Sequence, residues 1–170
     1  DDFVNANFDF YGKELSGKEA LKDRWKRVVS AVNGTIGEAV GKLYVEKYFP
    51  PRAKERMMEL VGNLKVALGG RINQLDWMTD ETKQKALEKL SKMNVKIGYP
   101  DEWRDYSSLD ITRDSYLQNM LNASKFEYQY NLNKIGKPVD EKEWHMPPQT
   151  VNAYYSPNMN EIVFPAGILQ

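Results

Sequence analysis

Apolar positions recur at helical spacing along most of the chain and change to alternation only at its end. Leu21, Trp25, Val28, Val29 and Val32 form a first stripe, opened by the capping-box pattern Ser16-Gly17-Lys18-Glu19 and closed by Asn33-Gly34. This predicts a helix over about residues 17 to 32. Thr35-Ile36-Gly37-Glu38 repeats the capping pattern, and Ile36, Val40, Leu43, Tyr44 and Tyr48 predict a short second helix that stops at Pro50-Pro51. Pro51 suits the first turn of a third helix, where its missing N–H has no partner to lose. Met57, Leu60, Val61, Leu64, Leu68, Ile72 and Leu75 give that helix the longest apolar face in the chain. Gly69-Gly70 within it costs about 1 kcal/mol per glycine relative to Ala, which predicts a close helix contact or a bend there.

Thr79 or Asp80 caps a fourth helix carrying Ala86, Leu87, Leu90 and Met93, with Asp80 and Glu81 at its positive end. Gly98-Tyr99-Pro100 breaks the chain, and residues 101–111 read as an irregular connection. A fifth helix, about residues 113 to 134, bears Tyr116, Leu117, Met120, Leu121 and Tyr128 and ends at Gly136-Lys137-Pro138. Residues 1–15 form an aromatic-rich lead-in, with Phe3, Phe8, Phe10 and Tyr11, to which no chemistry is assigned. Everything up to the last stretch therefore reads as helix or connection.

That last stretch, Thr150 to Gln170, is different. Two runs rich in Val, Ile, Tyr and Phe flank the turn formers Pro157 to Asn160, which predicts a β-hairpin. The expected fold is mainly α, five or so amphipathic helices followed by a C-terminal β-hairpin. A composition shift at Lys137 to Gln149, with three prolines, places a lobe boundary between residues 1–137 and 138–170.

Composition narrows the function classes. Lys plus Arg equals Asp plus Glu, 24 against 24, so no net field favours nucleic acid or an anionic membrane. No run of 18 apolar residues is present to span a bilayer. The absence of cysteine removes disulfides, thiolate metal sites and thiol nucleophiles. Asp1-Asp2-Phe3 has neither an initiating Met nor a signal-like region, so targeting information is expected to be absent or removed, and the compartment is left open.

Most candidate chemistry has a simpler structural explanation. His145 is the single histidine, without a second His at i+4, and reads as a structural or surface residue. Asp80-Glu81 and the pair Glu141 and Glu143 fall at a helix start and in a charged linker. Gly34, Gly37 and Gly41 lack phosphate-loop spacing, and Ser16 and Ser156 sit in a cap and a turn. The sequons at Asn33 and Asn122 are near chance frequency. Asn152 stands apart: in an extended segment it shares a face with Tyr154 and Ser156, and an edge strand there can add a peptide as a further strand. An ordinary hairpin with an Asn beside its turn accounts for the same residues.

Val151-Asn152-Ala153-Tyr154-Tyr155 and Asn160-Glu161-Ile162-Val163-Phe164-Pro165-Ala166-Gly167-Ile168-Leu169-Gln170 closely resemble the signature before the zinc helix in the neprilysin and endothelin-converting-enzyme family of zinc metallopeptidases. Arg24-Trp25-Lys26-Arg27, Gly41-Lys42-Leu43-Tyr44-Val45-Glu46, Trp77-Met78 and Ile97-Gly98-Tyr99-Pro100 resemble stretches of the same region. The resemblance implies that Asn152, through its amide, and Ala153, through its main chain, hold a peptide substrate. It implies that Tyr154 lines the pocket before the scissile bond and that Ile168 helps wall the pocket after it. The family's H-E-x-x-H helix, its Glu ligand and its transition-state His would lie beyond Gln170. Hence no catalytic or metal-binding residue is expected in this chain, and zinc is expected as the cofactor of a parent enzyme.

The chain is thus expected to be a fragment of an endopeptidase that cleaves on the amino side of hydrophobic residues. Residues 1–137 would cover the active-site chamber, and residues 138–170 would begin a thermolysin-like catalytic lobe. Its expected partners are peptide substrates and a C-terminal catalytic segment, with no nucleic acid and no membrane contact within this stretch. Lack of cysteine departs from the family's disulfide-rich animal ectodomains and favours a bacterial-type member. The alternative is a helical module, without metal, that binds extended peptides by adding them to its terminal hairpin.

Overall fold

The computed structural model describes residues 2–170 and divides into two compact units, one up to Gly34 and one from Thr35 to Gln170. The fold is mainly α, with a small three-stranded sheet towards the end of the chain.

In the first unit, α1 (Asp2–Asn7) runs straight into a π-helical segment, Phe8–Glu14. The wider turn brings Gly12 against Phe8, where a Cβ would fall 2.4 Å from the ring. The predicted start at Ser16 is not a helix start. The Ser16 hydroxyl donates to the Tyr11 carbonyl at 2.6 Å, closing the preceding turn, and Gly17 leaves helical backbone at φ +62°. Helix α2 begins only at Arg24.

Helix α2 (Arg24–Tyr48) also corrects the predicted stop at Asn33-Gly34, because it continues through both residues. A kink at Ile36 (φ −122°, ψ 36°) accommodates the break that the second capping pattern suggested. Helix α3 (Pro51–Asn73) opens on proline as expected. In α4 (Asp80–Ser91) the Thr79 hydroxyl accepts from the Thr82 amide at 3.2 Å, the predicted cap. The two helices meet where Gly69 faces Leu87 and Leu90, but an added Cβ there would lie at an ordinary 3.6 and 3.7 Å from them and one at Gly70 would meet open space, so neither glycine is required by a close approach. Helix α5 (Tyr116–Leu132) is capped by Ser115, whose hydroxyl accepts from the Gln118 amide at 3.2 Å.

The sheet holds the main departure from the predicted pattern. The stretch between the expected fourth helix and the Gly98-Tyr99-Pro100 break, where no strand is expected, forms β1 (Asn94–Gly98), so the chain before the hairpin is not all helix. Strands β2 (Tyr154–Ser156) and β3 (Glu161–Pro165) are the predicted hairpin, antiparallel with Tyr154 opposite Val163. Strand β1 pairs parallel with β3, Asn94 beside Glu161 and Gly98 beside Pro165, giving the order β1-β3-β2. Met93, assigned to the fourth helix, lies between that helix and β1. β-strand backbone here is stabilised by a partner 67 positions away, a signal that local periodicity does not carry.

The core of the second unit joins the end of α2 to the end of the chain. Val45 and Phe49 pack with Ala166, surrounded by Tyr44, Ala53, Tyr99, Trp103 and Leu169. Of the apolar face of α3, Val61 and Ile72 are buried, whereas Leu60, Leu64 and Leu68 are exposed, as are Tyr116, Leu117, Leu121 and Tyr128 on α5.

Candidate functional site

The segment leading into the hairpin is set by close backbone approaches. Pro147 and Pro148 lie on α2, where Cβ atoms at Gly37 and Gly41 would come within 3.1 and 2.5 Å of their rings. The Gln149 side-chain amide donates to the Gly37 carbonyl at 2.9 Å. On the other side, the Gly167 amide donates to the Pro148 carbonyl at 2.8 Å, and a Cβ on Gly167 would stand 2.6 Å from the Gln149 carbonyl oxygen. Because that neighbour is backbone, relief requires moving the chain. Gly167→Ala is expected to cost about 1–3 kcal/mol by overpacking, read as a lowered unfolding midpoint.

The residues singled out in the sequence fall around this junction. Asn152 is exposed and precedes β2; its side-chain oxygen accepts from the Ala153 amide at 2.8 Å. Ala153 is half-buried, and the ladder begins at Tyr154, so alternation of faces extends over Tyr154 to Ser156 and not back to Asn152. Ile168 is exposed on a 3₁₀ turn, Ala166–Leu169, directly after β3. The Gly167 contacts bring that turn beside Gln149 and Thr150, just ahead of Asn152. Among the described residues, strand β2 has a ladder neighbour on one side only, β3.

Tyr154 turns its phenol into the protein. Its hydroxyl donates to Glu161 Oε1 and accepts from the His145 amide, both at 3.4 Å, and the His145 ring lies 6.2 Å from its own. Burial is the main cause that raises the phenol above its ordinary pKa, with Glu161 adding to the rise and the His145 N–H opposing it. The hydroxyl is therefore neutral and able to donate at physiological pH.

Beneath Tyr154 is a charged pair that sequence reasoning passed over. Lys96 Nζ lies 2.6 Å from Glu161 Oε2, with the two side chains only 7% and 0% exposed. Lys96 also donates to the Glu143 carbonyl at 2.7 Å, and the Asn94 side-chain amide reaches Glu161 Oε2 at 3.5 Å and the Glu141 carbonyl at 3.1 Å. The only sequence signal was parity: Glu161 shares a face with Val163 and Pro165, and Lys96 sits between Val95 and Ile97. Around the same linker, Glu143 accepts from Lys134 at 2.5 Å, and Arg104 Nη1 donates to Glu127 at 2.6 Å while stacking on Tyr130.

Among the described residues, no three His, Cys, Asp or Glu side chains gather to hold a metal ion. His145 is exposed beside Tyr154 and near no such set, so the residues present do not fit a zinc ligand sphere. What they can do is present the backbone of an edge strand and, at its entry, an exposed carboxamide.

Residues 1–100 match the model of Peptidase family M13. Endothelin-converting enzyme-like 1 of Rattus norvegicus is 38% identical over 164 residues, covering 93% of this chain and 21% of that protein. The solved structure of Mycobacterium tuberculosis zinc metalloprotease Zmp1 in complex with inhibitor is 52% identical with a TM-score of 0.90, over 99% of this chain and 25% of that one. PepO from Lactobacillus rhamnosis HN001 is 32% identical with a TM-score of 0.87, over 94% of this chain and 26% of its own. The chain spans about a fifth to a quarter of the length of these relatives.

Proposed function

Because the chain belongs to peptidase family M13, we propose that it is the part of a zinc-dependent endopeptidase that encloses the substrate and binds its backbone. Residues 1–137 supply helical cover, and residues 138–170 supply the first substrate-binding strands of the catalytic lobe. Bound zinc would polarise the scissile carbonyl and activate water, and its ligands are assigned to sequence outside these 170 residues. The observation that carries the reading is the edge position of β2, with Asn152 exposed at its entry.

An extended peptide laid along that edge is held by main-chain hydrogen bonds. In this reading the Asn152 carboxamide gives up its contact with the Ala153 amide to pair with the peptide, and Ala153 contributes its main chain. Tyr154 and Ile168 bound the pockets on either side of the scissile bond, and cleavage falls on the amino side of a hydrophobic residue. Exposed apolar residues on α3 and α5 support the view that these helices are covered by further protein.

In the complete enzyme, Asn152→Ala is expected to lower kcat/KM by roughly 1–3 kcal/mol of transition-state binding while leaving zinc content unchanged. A folded variant with wild-type kcat/KM removes Asn152 from the site.

A further inference from the structure

The Lys96–Glu161 pair is an uneconomical way to fill a core, since burying two charges costs several kcal/mol and well-packed apolar residues commonly do as well or better. What such a pair adds is discrimination between registers. A slip of β1 against β3 by one residue would turn Glu161 or Lys96 to the opposite face and leave the charge that stays buried without its partner. The neighbouring contacts extend the same constraint. Asn160, at the hairpin turn with φ 46°, donates from its side-chain amide to the Lys89 carbonyl at 2.8 Å, and its backbone carbonyl accepts from the Asn94 backbone amide at 2.9 Å. Across the hairpin, the Tyr154 hydroxyl reaches the far oxygen of the same Glu161 carboxylate.

We propose that Glu161, held by Lys96, is a positioning residue: it fixes the register of β3 and, through β3 and Tyr154, aims the β2 edge at the peptide. The inference rests on the assignment of β2 as the substrate strand. Glu161 touches no substrate in this scheme. It acts by keeping Asn152 and Ala153 at one height along the cleft.

The test replaces both charges in the complete enzyme, as Lys96→Met with Glu161→Leu, so that no unpaired charge remains. The variant is expected to fold, keep its zinc and melt no lower than wild type, while amides of residues 151–156 exchange about tenfold faster and those of α3 and α4 are unchanged. KM for a peptide substrate should rise about tenfold with kcat within about twofold, a split that a merely structural pair would not give. Unchanged exchange over 151–156 in the folded variant overturns the proposal. Should the double variant not fold, Tyr154→Phe reads the same tie without altering charge. Faster exchange over 151–156 supports the proposal, and wild-type exchange there overturns it. Absence of zinc-dependent peptide hydrolysis by the wild-type enzyme would instead defeat the endopeptidase reading, and the exchange comparison would still decide the role of the pair.

Discussion

Glu161→Ala is expected to be among the most damaging single substitutions in the second unit, at about 3–5 kcal/mol. The carboxylate is the partner of an ammonium that is itself only 7% exposed, so its removal strands the Lys96 charge in the core. The remaining contact from Lys96, to the Glu143 carbonyl, is a dipole and does not replace a full charge. The loss should appear first in β3. Amide exchange at Val163 and Phe164 is expected to accelerate by roughly two to four orders of magnitude, since each factor of ten corresponds to about 1.4 kcal/mol. Removing both partners together is expected to cost far less than removing one. That contrast separates an unpaired buried charge from simple loss of packing, and equal effects of the single and double changes would contradict the account.

Gly98→Ala is the second large effect, at roughly 2–4 kcal/mol. Two independent causes add at this position. The backbone has φ +77°, which is costly for a residue with a side chain, and a Cβ there would sit 2.5 Å from Cε1 of Phe49 in the core. Gly98 ends β1 opposite Pro165, so the disturbance enters the sheet and the core at once. The causes can be separated with Phe49→Leu. In that background the steric part of Gly98→Ala should shrink by about 1 kcal/mol or more, leaving the backbone strain. Thermal unfolding of the four proteins in the cycle measures this; an additive result would assign the whole cost to φ.

Helix α3, the Thr79 cap and the hairpin were legible because each depends on neighbours close in sequence. Proline at the first turn, a hydroxyl three residues before an amide, and a turn between alternating runs are local facts. Strand β1 was not legible, because Lys96 interrupts Val95 and Ile97 with the residue type least expected in a core, and its justification, Glu161, is distant in sequence. The same default hid Glu161, since a charged residue at a strand start reads as solvent-facing. Capping patterns misled in two different ways. Ser16 spends its hydroxyl on the preceding turn, whereas Thr35 to Glu38 marks a kink inside a helix and not its start. In the candidate site, the order of Asn152, Ala153 and Tyr154 could be read directly. The inward turn of the Tyr154 phenol could not, because it depends on the Glu161 carboxylate and the His145 amide.

The parallel pairing of β1 with β3 has a kinetic consequence. Ser156 and Glu161 face each other across a turn of a few residues, whereas Asn94 must find Glu161 across 67 positions of chain. Closing the longer loop costs roughly 2 kcal/mol more in chain entropy, repaid only once the ladder and the buried pair form. The hairpin is therefore expected to assemble first and β1 to join it later, so that during synthesis Lys96 waits in solvent until the chain past Glu161 has emerged.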